Sequence, residues 1–310
     1  TLSAVIVNKV CGSGLQSVMQ AAQSIKAGDT SVVVAGGMEN MSNSPHLAHV
    51  RNGIKFGEGK LIDHMQHDGL TCPFENWGMG SAAEWTAEEF KISREEQDAY
   101  SAQSHQRAAH AISEGWFHDE QITLEAKQVK QRADITHDEG VRGDSTAESL
   151  GKLRPAFAKE GTVTAGNASQ ISDGGAAVVV AAPCTKGDVL ARIVDYNTQG
   201  VDPKEIFTAP GKGIAALLER NSLTVSDIDL FEINEAFAVQ VLQNLAHLGL
   251  DQTNVNVCGG GIALGHPIGG SGARVLVTLI HQMRRVDAKR GVVSLCLGGG
   301  NAVSMLIERD

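Results

Sequence analysis

Two stretches of the chain carry the same succession of apolar and polar positions. After Gly12-Ser13-Gly14, the residues Leu15, Val18, Met19, Ala22 and Ile25 recur at three- and four-residue spacing, and the apolar run SVVVAGG at 31–37 follows. After Gly270-Ser271-Gly272, Val275, Leu276, Leu279, Ile280 and Met283 do the same, and VVSLCLGGG at 292–300 follows. Such spacing puts a stripe on one helix face, and a continuous apolar run suits a strand buried on both sides. From Ser13 to Val32 is 19 residues, and from Ser271 to Val292 is 21. The pattern predicts a duplicated α/β unit.

Other segments fill in the frame. LSAVIVN at 2–8 predicts a strand. A strand with nothing ahead of it reads as the interior of a domain, so the first half is expected to lack its opening part. GGAAVVVAA at 174–182 predicts another buried strand. Between these lie the polar, glycine-rich RNGIKFGEGKLIDHMQHDG and the loop-like RADITHDEGVRGDSTAESLGKLRPAF, the latter basic at Arg142, Lys152 and Arg154. Ser93 with Glu96 makes a capping box for a helix to about Glu114. We therefore expect residues 1–40 and 170–188 to form an incomplete first half, 41–169 an inserted loop domain, and 189–310 the second half.

Composition narrows the function. Of 310 residues 42% are apolar and 20% charged, the profile of a globular chain. The net charge of −10 argues against nucleic-acid or anionic-membrane binding. Five cysteines without C-x-x-C spacing argue against a disulfide framework or a metal site and suit a reducing cytoplasm. Gly at 35 with aromatics at only 4% suggests backbone-lined loops in a tightly wound α/β protein.

Four residues stand where α/β elements begin or end, the usual place for a site in such folds. Cys11 precedes the first helix, where unsatisfied N–H groups and the positive dipole end favour a thiolate near neutral pH. Alone, it reads equally as a small buried hydrophobe. His266 lies between Gly265 and Pro267 in a run with six glycines from Gly259 to Gly270. Cys296 closes an apolar strand before Gly298-Gly299-Gly300, whose N–H groups could receive an oxyanion. Asn234, in FEINEAFA, joins a strand to a helix with Phe237, Val241, Leu245 and Leu248 on one face. It suits either a helix N-cap or a holder of water or a carbonyl. Together these point to a thiol nucleophile helped by a histidine and a second cysteine.

At these residues NKVCGSGL, TVTAGNASQISDGGAA, NEAFA, GHPIGGSGAR and CLGGGNAVSMLIE resemble, in order, the motif blocks of the thiolase family, across residues 1–310. The resemblance implies two similar βαβαβαββ halves in five αβαβα layers with an inserted loop domain. It implies the activity of the acetyl-CoA C-acetyltransferase (acetoacetyl-CoA thiolase) branch: condensation of two acetyl-CoA to acetoacetyl-CoA and CoA, and the reverse thiolysis, in fatty acid metabolism. Cys11 would carry the acyl group as a thioester. His266 would activate it and, with a water held by Asn234, stabilise an enolate or oxyanion. Cys296 would be the acid/base, and the N–H groups of Cys11 and Gly298 an oxyanion hole. Contacts to coenzyme A would come from Arg142, Ser169, Leu70, Met79, Phe157 and Phe237.

No cofactor or metal is implied beyond the CoA thioester substrates. The expected assembly is a homotetramer joined through RNGIKFGEGKLIDHMQ, in the cytoplasm. Two positions depart from the bacterial biosynthetic pattern: Gly78 stands where a His is usual, and Ile206 where a Met lines the acyl pocket. The alternatives are a 3-ketoacyl-CoA thiolase for longer chains and a non-catalytic CoA- or lipid-binding relative.

Overall fold

The computed structural model describes residues 3–129, 132–183 and 185–310. Cys184, and Leu2 at the head of the expected first strand, lie outside the described residues. The two repeated stretches form as the pattern predicts. Helix α1 spans Ser13–Ala27 and is followed by strand β1, Val32–Asn40. The segment between β1 and the next long strand contributes α2 (Met79–Phe90) and α3 (Arg94–Ser113), the latter with the Ser93/Glu96 capping box in place. Strand β2, Asp173–Ala181, returns to pair antiparallel with β1 along its whole length, Val32 opposite Ala181.

The second half runs β3 (Arg192–Gly200), α4 (Ala209–Arg220), β4 (Leu230–Ile233) and α5 (Ala238–Leu248). It ends with α6 (Ile268–Arg285), β5 (Arg290–Leu297) and β6 (Asn301–Glu308). These strands make one sheet in the order β3-β6-β5-β4, antiparallel except for the parallel β4–β5 pair. Helices α1 and α6 lie between the two sheets, and α4 and α5 cover the far side of the larger one. The apolar stripes meet there: Leu15, Val18 and Met19 pack with Val275, Leu279, Met283, Leu295 and Val303 in one buried cluster.

One expectation fails in an instructive way. Residues 3–9 form no strand, and Val5 and Ile6 are exposed. A strand needs a neighbour for its N–H and C=O groups, and none stands beside this segment among the described residues. The smaller sheet likewise has only β1 and β2, whose outer face leaves Val34, Met38 and Val179 exposed. Helices over that face are not found among the described residues, in the half expected to be incomplete.

Candidate active site

The site is built by a close approach of the two repeated helices. A Cβ added at Gly14 would stand 2.6 Å from the Ala273 nitrogen, and one at Gly37 would overlap the Gly269 carbonyl oxygen. Only glycine lets α1, β1 and the start of α6 come so near. Glu39, at the end of β1, accepts a hydrogen bond at 3.1 Å from Gly269 N–H in the first turn of α6. The segment before α1 and the segment before α6 therefore arrive side by side, the first carrying Cys11 and the second His266.

Cys11 sits in a 3₁₀ turn, Val10–Gly12. The preceding Val10 has φ +49, a left-handed conformation that a β-branched residue rarely adopts and that stores strain next to the thiol. The N–H groups of Cys11 and Gly298 both act on the sulfur. Gly299 and Gly300, at φ +86 and +76, make the left-handed turn after β5 that turns Gly298 toward Cys11. The expectation of a resting thiolate is reversed. Burial, the largest cause, pushes the Cys11 thiol up to about 12 against those N–H groups, and the Glu39 charge adds to it.

His266 is buried, and its hydrogen bonds assign its tautomer. Ser271 Oγ–H donates to the Pro267 carbonyl at 2.8 Å, so its oxygen accepts from His266 Nδ1–H at 2.6 Å. Nε2 then carries the lone pair and faces the Asn234 amide Nδ2–H at 3.4 Å. Burial, helped by the Arg274 charge, lowers the His266 pKa to about 4, so the ring is neutral near pH 7. Asn234 is not the helix N-cap: Phe237 takes that position, without a side-chain cap. Asn234 Oδ1 is buried and finds no partner among the described residues. Cys296, paired across the ladder with Ala302, is buried against Ile206, Phe207 and Phe237. Its thiol is pushed well up by burial first and then by charge on Cys11.

One cavity of about 1230 Å³ gathers nearly every residue singled out from the sequence. Cys11, His266, Cys296 and Gly298 line it, as do Arg142, Ser169, Leu70, Met79, Phe157 and Phe237. The two departures from the family pattern, Gly78 and Ile206, also face it. Asn234 stands behind, reaching the cavity through His266. Arg142 is exposed, and its guanidinium donates to the Gly140 carbonyl at 3.1 Å.

Several residues were missed. His105 accepts the Arg142 backbone N–H through Nδ1 at 3.2 Å and lines the cavity, and Gln170, also in its lining, bridges the Gly140 loop and the Ile262–Ala263 turn. Glu235 is a buried clasp: Tyr100 and Ser104 of α3, Asn256, and the Ile262 N–H all donate to its carboxylate at 2.7–3.1 Å. The sequence offered NEAFA and GNASQ but no signal that separated these polar residues from their neighbours.

A doubled α/β core that holds a cysteine, a histidine and a second cysteine around one cavity defines the thiolase class of fold and site. The sequence profile described as "Thiolase, N-terminal domain" matches residues 1–183 and "Thiolase, C-terminal domain" residues 187–309, so the chain belongs to the thiolase family. It is similar to an acetyl-CoA acetyltransferase of Escherichia coli, 48% identical over 315 residues, covering 100% of this chain and 80% of that protein. It is similar also to one of Shinella zoogloeoides, 47% identical, covering 97% of this chain and 78% of that one. Among solved structures it resembles human mitochondrial 3-ketoacyl-CoA thiolase at TM-score 0.93 and 42% identity, covering 98% of this chain and 78% of that one. It resembles the Bacillus anthracis acetyl-CoA acetyltransferase at TM-score 0.92 and 42% identity, covering 97% and 78%. Among the described residues no helix is long and apolar enough to cross a membrane.

Proposed function

We propose that this chain is an acetyl-CoA C-acetyltransferase, joining two acetyl-CoA into acetoacetyl-CoA and CoA and running the reverse thiolysis. The observation that carries the reading is the shared cavity in which Cys11, His266, Cys296 and the Gly298 N–H converge. The relatives' names support the substrate, and a human thiolase of the same fold has been solved with CoA.

The chemistry follows from two neutral thiols and a neutral imidazole. His266 Nε2 takes the Cys11 proton as the sulfur attacks the acetyl carbonyl, and the N–H groups of Cys11 and Gly298 hold the oxyanion. The tetrahedral adduct collapses to acetyl-Cys11. The leaving CoA thiolate takes its proton from Cys296, which becomes a thiolate. Burial makes that thiolate a strong base, matched to the weakly acidic α-proton of a second acetyl-CoA. The enolate oxygen meets His266 Nε2–H, with a water held by Asn234. The carbanion attacks acetyl-Cys11, and the released Cys11 sulfur recovers its proton from His266. No cofactor enters, because the thioester itself acidifies the α-carbon.

The CoA moiety would lie along Leu70, Met79, Phe157 and Phe237, with Ser169 as a further contact and Arg142 toward the nucleotide. The assembly we propose is a tetramer in the cytoplasm. A second reading, thiolysis of longer 3-ketoacyl chains, is favoured by the room at Gly78, where an added Cβ meets only the Leu70 carbonyl at 3.8 Å. Kinetics with acetoacetyl-CoA against a longer 3-ketoacyl-CoA decide between them. Brief exposure to acetyl-CoA followed by peptide mass spectrometry tests the mechanism. Acetyl should be found on Cys11, Cys296→Ala should still acquire it without condensing it, and Cys11→Ala should do neither. Acetyl on Cys296 in the unmutated protein would refute the assignment.

A further inference from the structure

One residue outside the proposed catalytic set joins two separate segments that flank the cavity. The Gln170 amide nitrogen lies 3.2 Å from the Gly140 carbonyl, 2.8 Å from that of Ile262 and 3.2 Å from that of Ala263. Gly140 belongs to the loop of Arg142, whose guanidinium donates to the same carbonyl. Ile262 and Ala263 form the short helical turn Gly261–Leu264 just before His266. The Gln170 main chain continues the link, since its carbonyl accepts His266 N–H at 3.3 Å. The fit is tight: a Cβ added at Gly140 would stand 2.6 Å from the Gln170 nitrogen. An amide is suited to this bridge because its two N–H groups can be given to carbonyls on both sides at once.

We infer that Gln170 is a positioning residue that fixes the Arg142 loop relative to His266, so that grip on the nucleotide end of CoA is converted into alignment of the thioester with the base. The inference rests on the proposed thiolase reading. Binding energy from a remote part of a substrate raises the chemical rate only where a stiff path joins it to the reacting centre. Here the path is one side chain long. A thioester truncated at the pantetheine end has no nucleotide to grip and gains nothing from it.

The test compares acetoacetyl-CoA with the acetoacetyl thioester of N-acetylcysteamine, in the full chain and its Gln170→Leu variant, which keeps the bulk and loses the donors. Gln170→Leu should lower kcat/KM for the CoA substrate about tenfold, in kcat as well as KM, and that for the truncated one less than about twofold. Arg142→Ala should show the same selectivity, and the double variant should cost no more than the worse single one, as expected for residues acting in series. Equal losses on both substrates, or additive losses in the double variant, would overturn the inference and leave Gln170 a structural residue. Gly140→Ala, which crowds the same contact from the other side, provides a second route should Gln170→Leu fold poorly. Absence of thiolysis with either substrate in the unmutated protein would instead sink the functional reading.

Discussion

Replacing Ser271 by alanine should disable the proposed base, His266, without touching the substrate. Ser271 is fully buried behind His266 and outside the cavity lining, and its oxygen is the acceptor for the Nδ1–H. Alanine leaves two options. The Nδ1–H remains in place, buried and unpaired, at a cost of about 1–3 kcal/mol. Otherwise the proton moves to Nε2, where it meets the Asn234 amide donor and removes the lone pair that the mechanism assigns to Nε2. Either cost is charged to the competent form of the ring, so kcat should fall about 5- to 150-fold at 1.4 kcal/mol per decade.

KM for acetoacetyl-CoA should stay within about twofold, since no lining residue changes. Initial thiolysis rates measure the split, and nitrogen NMR of histidine-labelled protein reads which ring nitrogen carries the hydrogen. A Ser271→Ala protein that keeps more than half its kcat with Nε2 still unprotonated would refute the role given to this hydrogen bond. So would a loss confined to KM.

Three further outcomes are expected. Because burial holds the Cys11 thiol at about 12, its alkylation by iodoacetamide in the substrate-free protein should rise steadily from pH 7 to 10; a plateau below pH 8 would mean a resting thiolate after all. Gly37→Ala should cost about 3 kcal/mol or more, because its Cβ overlaps the Gly269 carbonyl. Gly28→Ala, open on all sides but at φ +85, should cost only about 1 kcal/mol, and equal melting temperatures for the two would count against the packing argument. Glu232 is raised from 4.5 to about 8, by burial first. The unfolded chain therefore gives up this proton before the folded one does, and stability from this group is lost as pH rises from 4.5 through 8. Glu232→Gln should flatten that decline in denaturant titrations, and an unchanged slope would refute it.

Much of the fold was legible because its strongest patterns are local. The stripes of α1 and α6, the runs of β1 and β5, and the Ser93 cap are each written within a few residues. What failed depended on distant partners. LSAVIVN has strand composition, but composition cannot supply the strand beside it. Cys11 stands at a helix start, yet burial outweighs the helix field, and burial is set by residues such as Leu297 and Val303 that are far along the chain. Gln170 meets Ile262 across a separation of 92 residues, which no spacing rule reaches. The glycines illustrate both cases. Gly298, Gly299 and Gly300 could be read as the end of a strand, whereas Gly14 and Gly37 serve a helix contact that only the folded chain reveals.

Duplication explains why the two proposed reacting groups meet. Each repeated unit presents its helix with a free N-terminal turn, and the glycine contacts bring α1 and α6 together near those ends. One unit offers Cys11 and the other His266, so neither half alone holds a nucleophile with its base. Placing both inside the same apolar junction keeps the resting pair uncharged, at about 12 and about 4. In the proposed mechanism, charge separation becomes favourable when a thioester carbonyl occupies the N–H groups of Cys11 and Gly298, which would stabilise the negative charge as it forms. A thiol so protected does not waste itself on oxidants or stray electrophiles, because the thiolate is the reactive species. The desolvation that holds the Cys11 thiol protonated is thus consistent with the proposed nucleophile being switched on by its own substrate.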